Sequence, residues 1–438
     1  MLLSIEKLIY GGDGLARTPA AADGRSMAVF VPFVLPGERV EAEIRQEKPG
    51  YARGSVTQLI EESPDRIEAR CPYFQRCGGC HYQHIPYDRQ LEFKAGILRE
   101  TLQRIAKIEL TSEIRLHASP PWNYRNRTRL QVRISPEFAL GYFRFSSHEF
   151  LPVRECPISS PLLNRVMARL VELGGLNCPP AVEEIELFAD AADERLLAWA
   201  FCRREADQTD LLRWAEALAR ELPEISGVTF FSSRRRVEED EMPYPKALAQ
   251  SGAKTIPYRT SDHDYQVSAG AFFQVNRHLV DELVSVVTGN ARGDLALDLY
   301  AGVGLFSVAL ARSFHHIFGV EASQTSYGDL VQNVPANVKA VGARTEDFLR
   351  SDLLKRQPVQ KSPDLVVLDP PRTGAGKAVI RSLVELGAPR VRYVSCDPAT
   401  LARDLAPLLA AGYHVEEAHL FDLFPGTYHI ESVMLLAR

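Results

Sequence analysis

The chain has 438 residues, too many for one ordinary domain, and its 45% hydrophobic and 24% charged residues exclude a disordered or fibrous protein. A formal net charge of −5 excludes nucleic acid binding through bulk charge, so any such contact must come from local basic stretches. The start, MLLSIEKLIYGGDGLAR, lacks the basic flank and apolar run of a secretion signal, and no apolar stretch nears the roughly 20 residues that cross a bilayer; the expectation is a cytoplasmic chain without a membrane partner.

Residues 1–60 alternate short apolar runs (LSIEKLIY, SMAVFVPFV, RVEAEIRQ, ARGSVTQLI) with glycine turns (GGDG, DG, LPGE, EKPG), which predicts a small β-barrel closed by the polar linker ESPDR. CPYFQRCGGC follows, and its Cys71, Cys77 and Cys80 group with Cys156 of VRECPIS. Four such thiols suit an iron–sulfur cluster and structural zinc about equally by spacing, with His81 and His84 as competing ligands. Seven cysteines spread this way do not make a disulfide framework, and Cys178 and Cys202 read as packing residues.

Leu91, Leu98, Leu102 and Ile105 recur at helical spacing in a helix over about 87–106. The stretch WNYRNRTRLQVR then alternates Arg125, Arg127 and Arg129 on one strand face, which fits an RNA-contact strip and an ordinary solvated face equally. Arg234–Arg236 form a weaker basic patch, followed directly by acids. Strand-like and helical runs mix as far as 265, so residues 61–265 are expected to be a central α+β unit, its first helix free to pack on the unit that follows. There is no internal repeat.

From 266 to 438 strands and helices alternate, the pattern of an open, mainly parallel α/β sheet that binds ligands beyond its C-terminal strand ends. LDLYAGVGLFSVALA is a strand, a turn with Gly302 and Gly304, and a helix start, a place where backbone can approach a ligand. Glu321, seventeen residues after Gly304 at the next strand's end, is placed to accept a nucleoside's ribose hydroxyls. Asp298 and Asp347 complete an acidic rim, which suits a sulfonium cation better than a pyrophosphate and points to S-adenosylmethionine rather than NAD. LVVLDPPRTG sets Asp369 on a rigid corner able to face a flat heterocycle. Cys396, in VRYVSCDPATLARDL, would by position alone be an inert strand cysteine, but it ends a strand at this rim beside a helix start that favours a thiolate. His429 and Glu431 of GTYHIESVMLLAR are the candidate bases.

Taken together, CPYFQRCGGC with Cys156, FFQVN, DLYAGVG, LDPPRTG, YVSCDPATLARD and HIESVMLL resemble the RNA uridine-5-methyltransferase family, over nearly the whole chain. Its first 60 residues resemble a TRAM domain, an OB-like RNA-binding barrel, and the C-terminal unit a Rossmann-like class I methyltransferase. The resemblance implies S-adenosylmethionine as methyl donor, with Cys396 as the nucleophile that adds to carbon 6 of a uridine and Glu431 as the base that takes the carbon 5 proton. It implies that Gln274, Tyr300, Gly302, Gly304, Glu321 and Asp369 bind cofactor or base, and Asp347 less directly. It also moves the four cysteines Cys71, Cys77, Cys80 and Cys156 from the zinc alternative to a [4Fe–4S] cluster of structural or RNA-positioning role. A barrel together with a cluster is more typical of the ribosomal enzymes, so 23S ribosomal RNA is the expected partner, transfer RNA the alternative, and no obligate protein partner is expected. A non-catalytic RNA-binding protein with a degenerate methyltransferase fold is the reading of another class. Two positions depart from the pattern: Leu305 stands where certain relatives carry a polar residue, and Asp397 replaces an asparagine, an acid expected to raise the neighbouring thiol's pKa.

Overall fold

The computed structural model describes residues 1–19, 26–110, 113–203, 205–232, 247–353 and 362–438, and the Arg234–Arg236 patch lies outside them. The first unit holds β1 (Leu2–Ser4), β2 (Lys7–Leu8), β3 (Asp13–Arg17), β4 (Ala28–Pro32), β5 (Arg39–Lys48) and β6 (Tyr51–Glu61), in the order β1-β5-β6-β4-β3-β2. β1 and β2 are two halves of one strand. The first half pairs with β5 and the second with β3, which closes the sheet on itself as the expected barrel. Alternate residues Leu3, Val29, Val31, Val40 and Ala42 fill its interior. The linker after it is pinned, because Arg66 donates to the buried Glu38 at 2.5 Å and to the Phe33 carbonyl at 2.9 Å.

Next come α1 (Tyr87–Ala106) and β7 (Ile114–His117), then a mixed sheet of β8 (Arg127–Arg133), β9 (Ala139–Phe143), β10 (Phe150–Pro152), β11 (Val182–Ala189), β12 (Leu196–Cys202), β13 (Ile225–Ser232) and β14 (Ala247–Gly252). This sheet runs β10-β9-β8-β11-β12-β13-β14, and α2 (Pro161–Glu172) and α3 (Gln208–Glu221) pack on it. Cys178 and Cys202 are buried in that core as packing residues. The arginines of β8 are largely neutralised: Arg127 pairs with Glu186 at 2.6 Å and lies over Trp199, and Arg129 pairs with Glu184 and lies over Phe201. The alternation is there, but much of its charge is spent on β11.

The catalytic unit adds the hairpin β15 (Thr255–Arg259) and β16 (Asp264–Ser268), then α4 (Val280–Thr288), β17 (Gly293–Leu299), α5 (Leu305–Leu310), β18 (Phe314–Glu321), α6 (Gln324–Asn333), β19 (Val338–Gly342) and α7 (Thr345–Arg350). It continues with β20 (Leu365–Leu368), α8 (Gly376–Leu386), β21 (Arg390–Ser395), α9 (Pro398–Ala410), β22 (His414–Phe421) and β23 (Glu431–Ala437). The large sheet has the order β19-β18-β17-β20-β21-β23-β22-β7. Near-continuous apolar strands such as LVVL are buried on both faces, as a helix-covered parallel sheet requires. Strand order reverses between β17 and β20, which opens a ligand crevice at their C-terminal ends.

As the sequence allowed, α1 packs on the C-terminal unit, its Leu98 and Leu102 sharing a core with Leu401 and Leu405 of α9. The fold departs from the expected 61–265 boundaries elsewhere: β7 pairs in parallel with β22, and the β15–β16 hairpin packs into the second core of the C-terminal unit. A short edge strand next to an amphipathic helix gives no sequence signal of which sheet it joins.

α1 is anchored by charge as well as by apolar burial. Lys94 Nζ donates to Asp422 Oδ1 at 2.6 Å, with both side chains fully buried, and to the Phe424 carbonyl at 3.1 Å. Lys94→Met, which leaves Asp422 buried and unpaired, is expected to destabilise the protein by about 3–5 kcal/mol. The double variant Lys94→Met/Asp422→Leu is expected to recover most of the loss. Thermal melting checks this, and an unchanged midpoint in the single variant would contradict it.

Candidate active site

The crevice is built from strand ends. β17 delivers Asp298, whose Oδ2 accepts from Ser307 Oγ at 2.5 Å while Oδ1 has no partner in the structure. The chain then turns through Tyr300, held at φ 66, where a non-glycine residue is strained. Gly302 and Gly304 do different jobs. A side chain at Gly302 would meet open space, so its backbone is free to approach a ligand. At Gly304 a Cβ would lie 2.9 Å from Leu330 Cδ1, so that glycine serves packing against α6.

Glu321 ends β18 and accepts from Gly302 N at 2.9 Å and Ser323 N at 2.6 Å, which orients its carboxylate over the turn. These bonds favour the charged form, but burial outweighs them and raises its pKa. Burial pushes Asp298 up to about 6, with Glu321 adding to the shift. Asp369 follows β20 and is pushed up to about 7, by burial first and then by Asp298 and Glu321. Three carboxyls raised by burial, with Glu321 also raising Asp298 and both raising Asp369, make a site that gains from a cation.

The chemical centre lies at the same edge. Register pairs Ser395, the last residue of β21, with Ser432 of β23, so Cys396, the next residue, comes opposite Glu431 at the end of the ladder. Burial, then Glu431 and Asp369, push the Cys396 thiol up to about 12, with Arg372 opposing. Glu431 is buried and its pKa is well above the usual carboxyl range, from burial first and then Asp369. Arg372 favours the anion of both, a role its place in LDPPRTG did not announce.

The expectation that a helix start favours the thiolate is not met. Asp397 is the N-cap of α9 and takes the free N–H groups of Ala399 and Thr400 at 3.0 and 2.8 Å. The acid beside Cys396 is therefore a capping residue. Of the two candidate bases, His429 is unsuited: burial and Arg372, whose Nη2 lies 3.4 Å from its Nδ1, push it down to about 3. That leaves Glu431.

Gln274 is buried, and its backbone carbonyl accepts from Asn126 Nδ2 at 3.0 Å, with Phe272 of the same FFQ run exposed. Asp347 is exposed, and it is Thr345 and Glu346 that α7 brings to Tyr300. The DPPRTG corner is locked by Asp404, a residue the sequence did not single out: its Oδ2 accepts from Ala375 N at 2.7 Å and Tyr393 OH at 2.8 Å.

Cys71, Cys77, Cys80 and Cys156 are all unpaired and line one cavity of about 660 Å³ in the central unit, together with Arg125 and Tyr142. His81 and His84 do not line it; burial pushes both down to about 4, and they pack among Phe33, Phe74 and Phe145. Among the described residues, no three His, Cys, Asp or Glu side chains converge as the ligands of one ion would.

The acidic crevice has a pH signature. The folded protein holds the Asp369 proton more tightly than the unfolded chain, so that contribution to stability is full below about pH 4 and is lost as pH rises through about 7. Asp369→Asn, which cannot ionise, is expected to melt above the parent at pH 8.5, the gain shrinking as pH falls toward 4. Thermal melts of the ligand-free protein across that range check it; a variant less stable at high pH would contradict it.

The family model for tRNA (uracil-5-)-methyltransferase matches residues 86–438, and that for the TRAM domain matches residues 1–57. A curated relative from Halomonas elongata, named 23S rRNA (uracil(1939)-C(5))-methyltransferase RlmD, is 34% identical, covering 99% of this chain and 89% of its own. An uncharacterized RNA methyltransferase of Caldanaerobacter subterraneus is 32% identical over 100% of this chain and 97% of its own. The crystal structure of a Pyrococcus abyssi tRNA (uracil-54, C5)-methyltransferase with S-adenosyl-L-homocysteine superposes with a TM-score of 0.72 over 100% of both chains at 24% identity, which fixes the fold. The chain belongs to the tRNA (uracil-5-)-methyltransferase family and carries a TRAM domain at its N-terminus.

Proposed function

We propose that this S-adenosylmethionine-dependent RNA methyltransferase modifies carbon 5 of a uridine in 23S ribosomal RNA, with Cys396 as nucleophile and Glu431 as proton acceptor. The observation that carries the chemistry is the β21–β23 register, which sets a cysteine and a buried carboxyl side by side at the mouth of an acidic, switch-point crevice. Support for the substrate comes from the names of relatives: the Halomonas elongata protein and one from Chromohalobacter salexigens, 33% identical over all of this chain, are both called 23S rRNA (uracil(1939)-C(5))-methyltransferases.

The crevice residues fit the methyl donor. Open space at Gly302, the oriented carboxylate of Glu321 and the orphaned Oδ1 of Asp298 suit a nucleoside that carries positive charge. S-adenosylmethionine, when bound, supplies an electrophilic methyl group and a cation beside these acids. Cys396 adds as thiolate to carbon 6 of the uridine, which makes carbon 5 nucleophilic. Carbon 5 then attacks the sulfonium methyl, whose bond to sulfur breaks so that S-adenosylhomocysteine leaves; Glu431 as carboxylate takes the carbon 5 proton, the thiolate departs from carbon 6 and the pyrimidine regains its double bond. Burial disfavours the charged form of both groups; Arg372 and the added cation favour it. A base within structured RNA has to leave its stack to reach Cys396.

The four thiols line one cavity, and Cys156 acts on Cys71, Cys77 and Cys80 alike, so they face one another as the ligands of a shared group would. We infer that Cys71, Cys77, Cys80 and Cys156 hold a [4Fe–4S] cluster that organises the central unit. Protein purified without oxygen is expected to contain iron and labile sulfide with visible charge-transfer absorbance, lost in Cys156→Ser. Stoichiometric zinc without iron would overturn this.

Cys396→Ala is expected to abolish methyl transfer, and Glu431→Gln to accumulate a covalent RNA–protein adduct whose elimination is blocked. Full turnover in Cys396→Ala would refute the mechanism. For the substrate, 5-methyluridine mapped in cells without the gene is expected to disappear from one site of 23S RNA; loss confined to transfer RNA would favour the alternative.

A further inference from the structure

The glycine turn of the barrel, IYGGDG, does not end in solvent. Gly11 and Gly12 take φ of 106° and 94°, and a Cβ at Gly12 would stand 3.0 Å from the His81 ring, so the turn lies flat against that imidazole. This close seating delivers Tyr10 to the catalytic edge. Its hydroxyl donates to the Cys396 carbonyl at 3.2 Å, and its ring meets Tyr428 edge-on at 5.7 Å. Tyr428 in turn packs on His81 and His429, at 4.7 and 4.4 Å between centroids.

The place of that hydrogen bond matters. Ser395 is the last residue of β21 and Asp397 caps α9, so Cys396 sits in the joint between ladder and helix and belongs to neither. A donor on its carbonyl limits rotation of the peptide that carries the thiol. The charged and titratable groups acting on Tyr10 are Asp397, Tyr428, Cys396 and Arg372; burial and the Asp397 carboxylate raise the phenol well above its ordinary range, so it remains a donor at every working pH.

We propose that Tyr10 is a positioning residue for the nucleophile, so that the barrel completes the active site. The proposal rests on the reading of Cys396 as the attacking group, and gives the TRAM domain a part in the chemistry beyond holding RNA. A contact that serves RNA affinity alone would change KM; one that aims the thiol changes kcat, because small misplacements of a reacting group are costly.

Tyr10→Phe removes the donor and keeps the ring. The full-length variant is compared with the parent in methylation of an unmodified 23S RNA transcript, in affinity for that transcript, and in the rate of Cys396 alkylation by iodoacetamide against pH, read by peptide mass. A loss in kcat of about tenfold is expected, with KM and RNA affinity within twofold, and an alkylation profile displaced to higher pH. An unchanged kcat with the parent's alkylation profile overturns the proposal, and so does a raised KM with kcat intact. Because alkylation needs no RNA, the positioning role is tested even if the transcript is not the substrate; Cys396→Ala tests the nucleophile separately.

Discussion

The segment from Asp422 to Ile430, which leads into Glu431, is held from all sides, and the geometry of the centre depends on that hold. Lys94 reaches it from α1 through a buried ion pair. Gln90 Oε1 accepts from Gly426 N at 2.8 Å, and the Gly426 carbonyl accepts from the N–H groups of His81 and Tyr82 at 2.8 and 2.9 Å. Tyr124 OH donates to the Pro425 carbonyl at 3.0 Å, and Asn276 Nδ2 to that of Leu423 at 3.2 Å. The helix, the cysteine segment and the central unit thereby converge on one loop. A buried ion pair is a poor source of net stability but a sharp geometric constraint, since neither charge tolerates losing the other.

That constraint supports an electrostatically unfavourable centre. Asp298, Glu321, Asp369, Glu431 and Cys396 each resist ionisation, chiefly through burial and in most cases through one another. Arg372 is the cation that opposes the trend at both Cys396 and Glu431. Ionisation of the thiol and of these carboxyls is disfavoured in the free protein, and a cationic donor bound beside them favours it. Such tuning is costly to stability and is tolerated because the loop and the DPPRTG corner are fixed by residues outside the site, Lys94 and Asp404 among them.

The sequence made the strand-end chemistry legible, since Gly302, Glu321, Asp369 and Cys396 each close a strand with a turn or corner that shows in the text of the chain. It could not separate Gly302 from Gly304, because only the packing of Leu330 reveals which one faces open space. It placed Asp397 beside the thiol but not in the helix cap, where it forestalls the helix's help. Partnerships across long sequence separations stayed hidden: Tyr10 with Cys396, Lys94 with Asp422, β7 with β22. The arginine strand fits an RNA-contact strip and a solvated face equally in sequence, and only the fold brings Glu184 and Glu186 opposite it.

The central claim is that the Cys396 sulfur bonds to carbon 6 of the uridine and that release then requires loss of the carbon 5 proton to Glu431. A 23S transcript carrying 5-fluorouridine tests it most directly, because fluorine cannot be removed as a proton is. Incubated with the enzyme and S-adenosylmethionine, it should form a denaturation-resistant complex in which a methylated fluorouridine is attached to the Cys396 peptide. An adduct on another residue, or none while the ordinary transcript is methylated, would contradict the account.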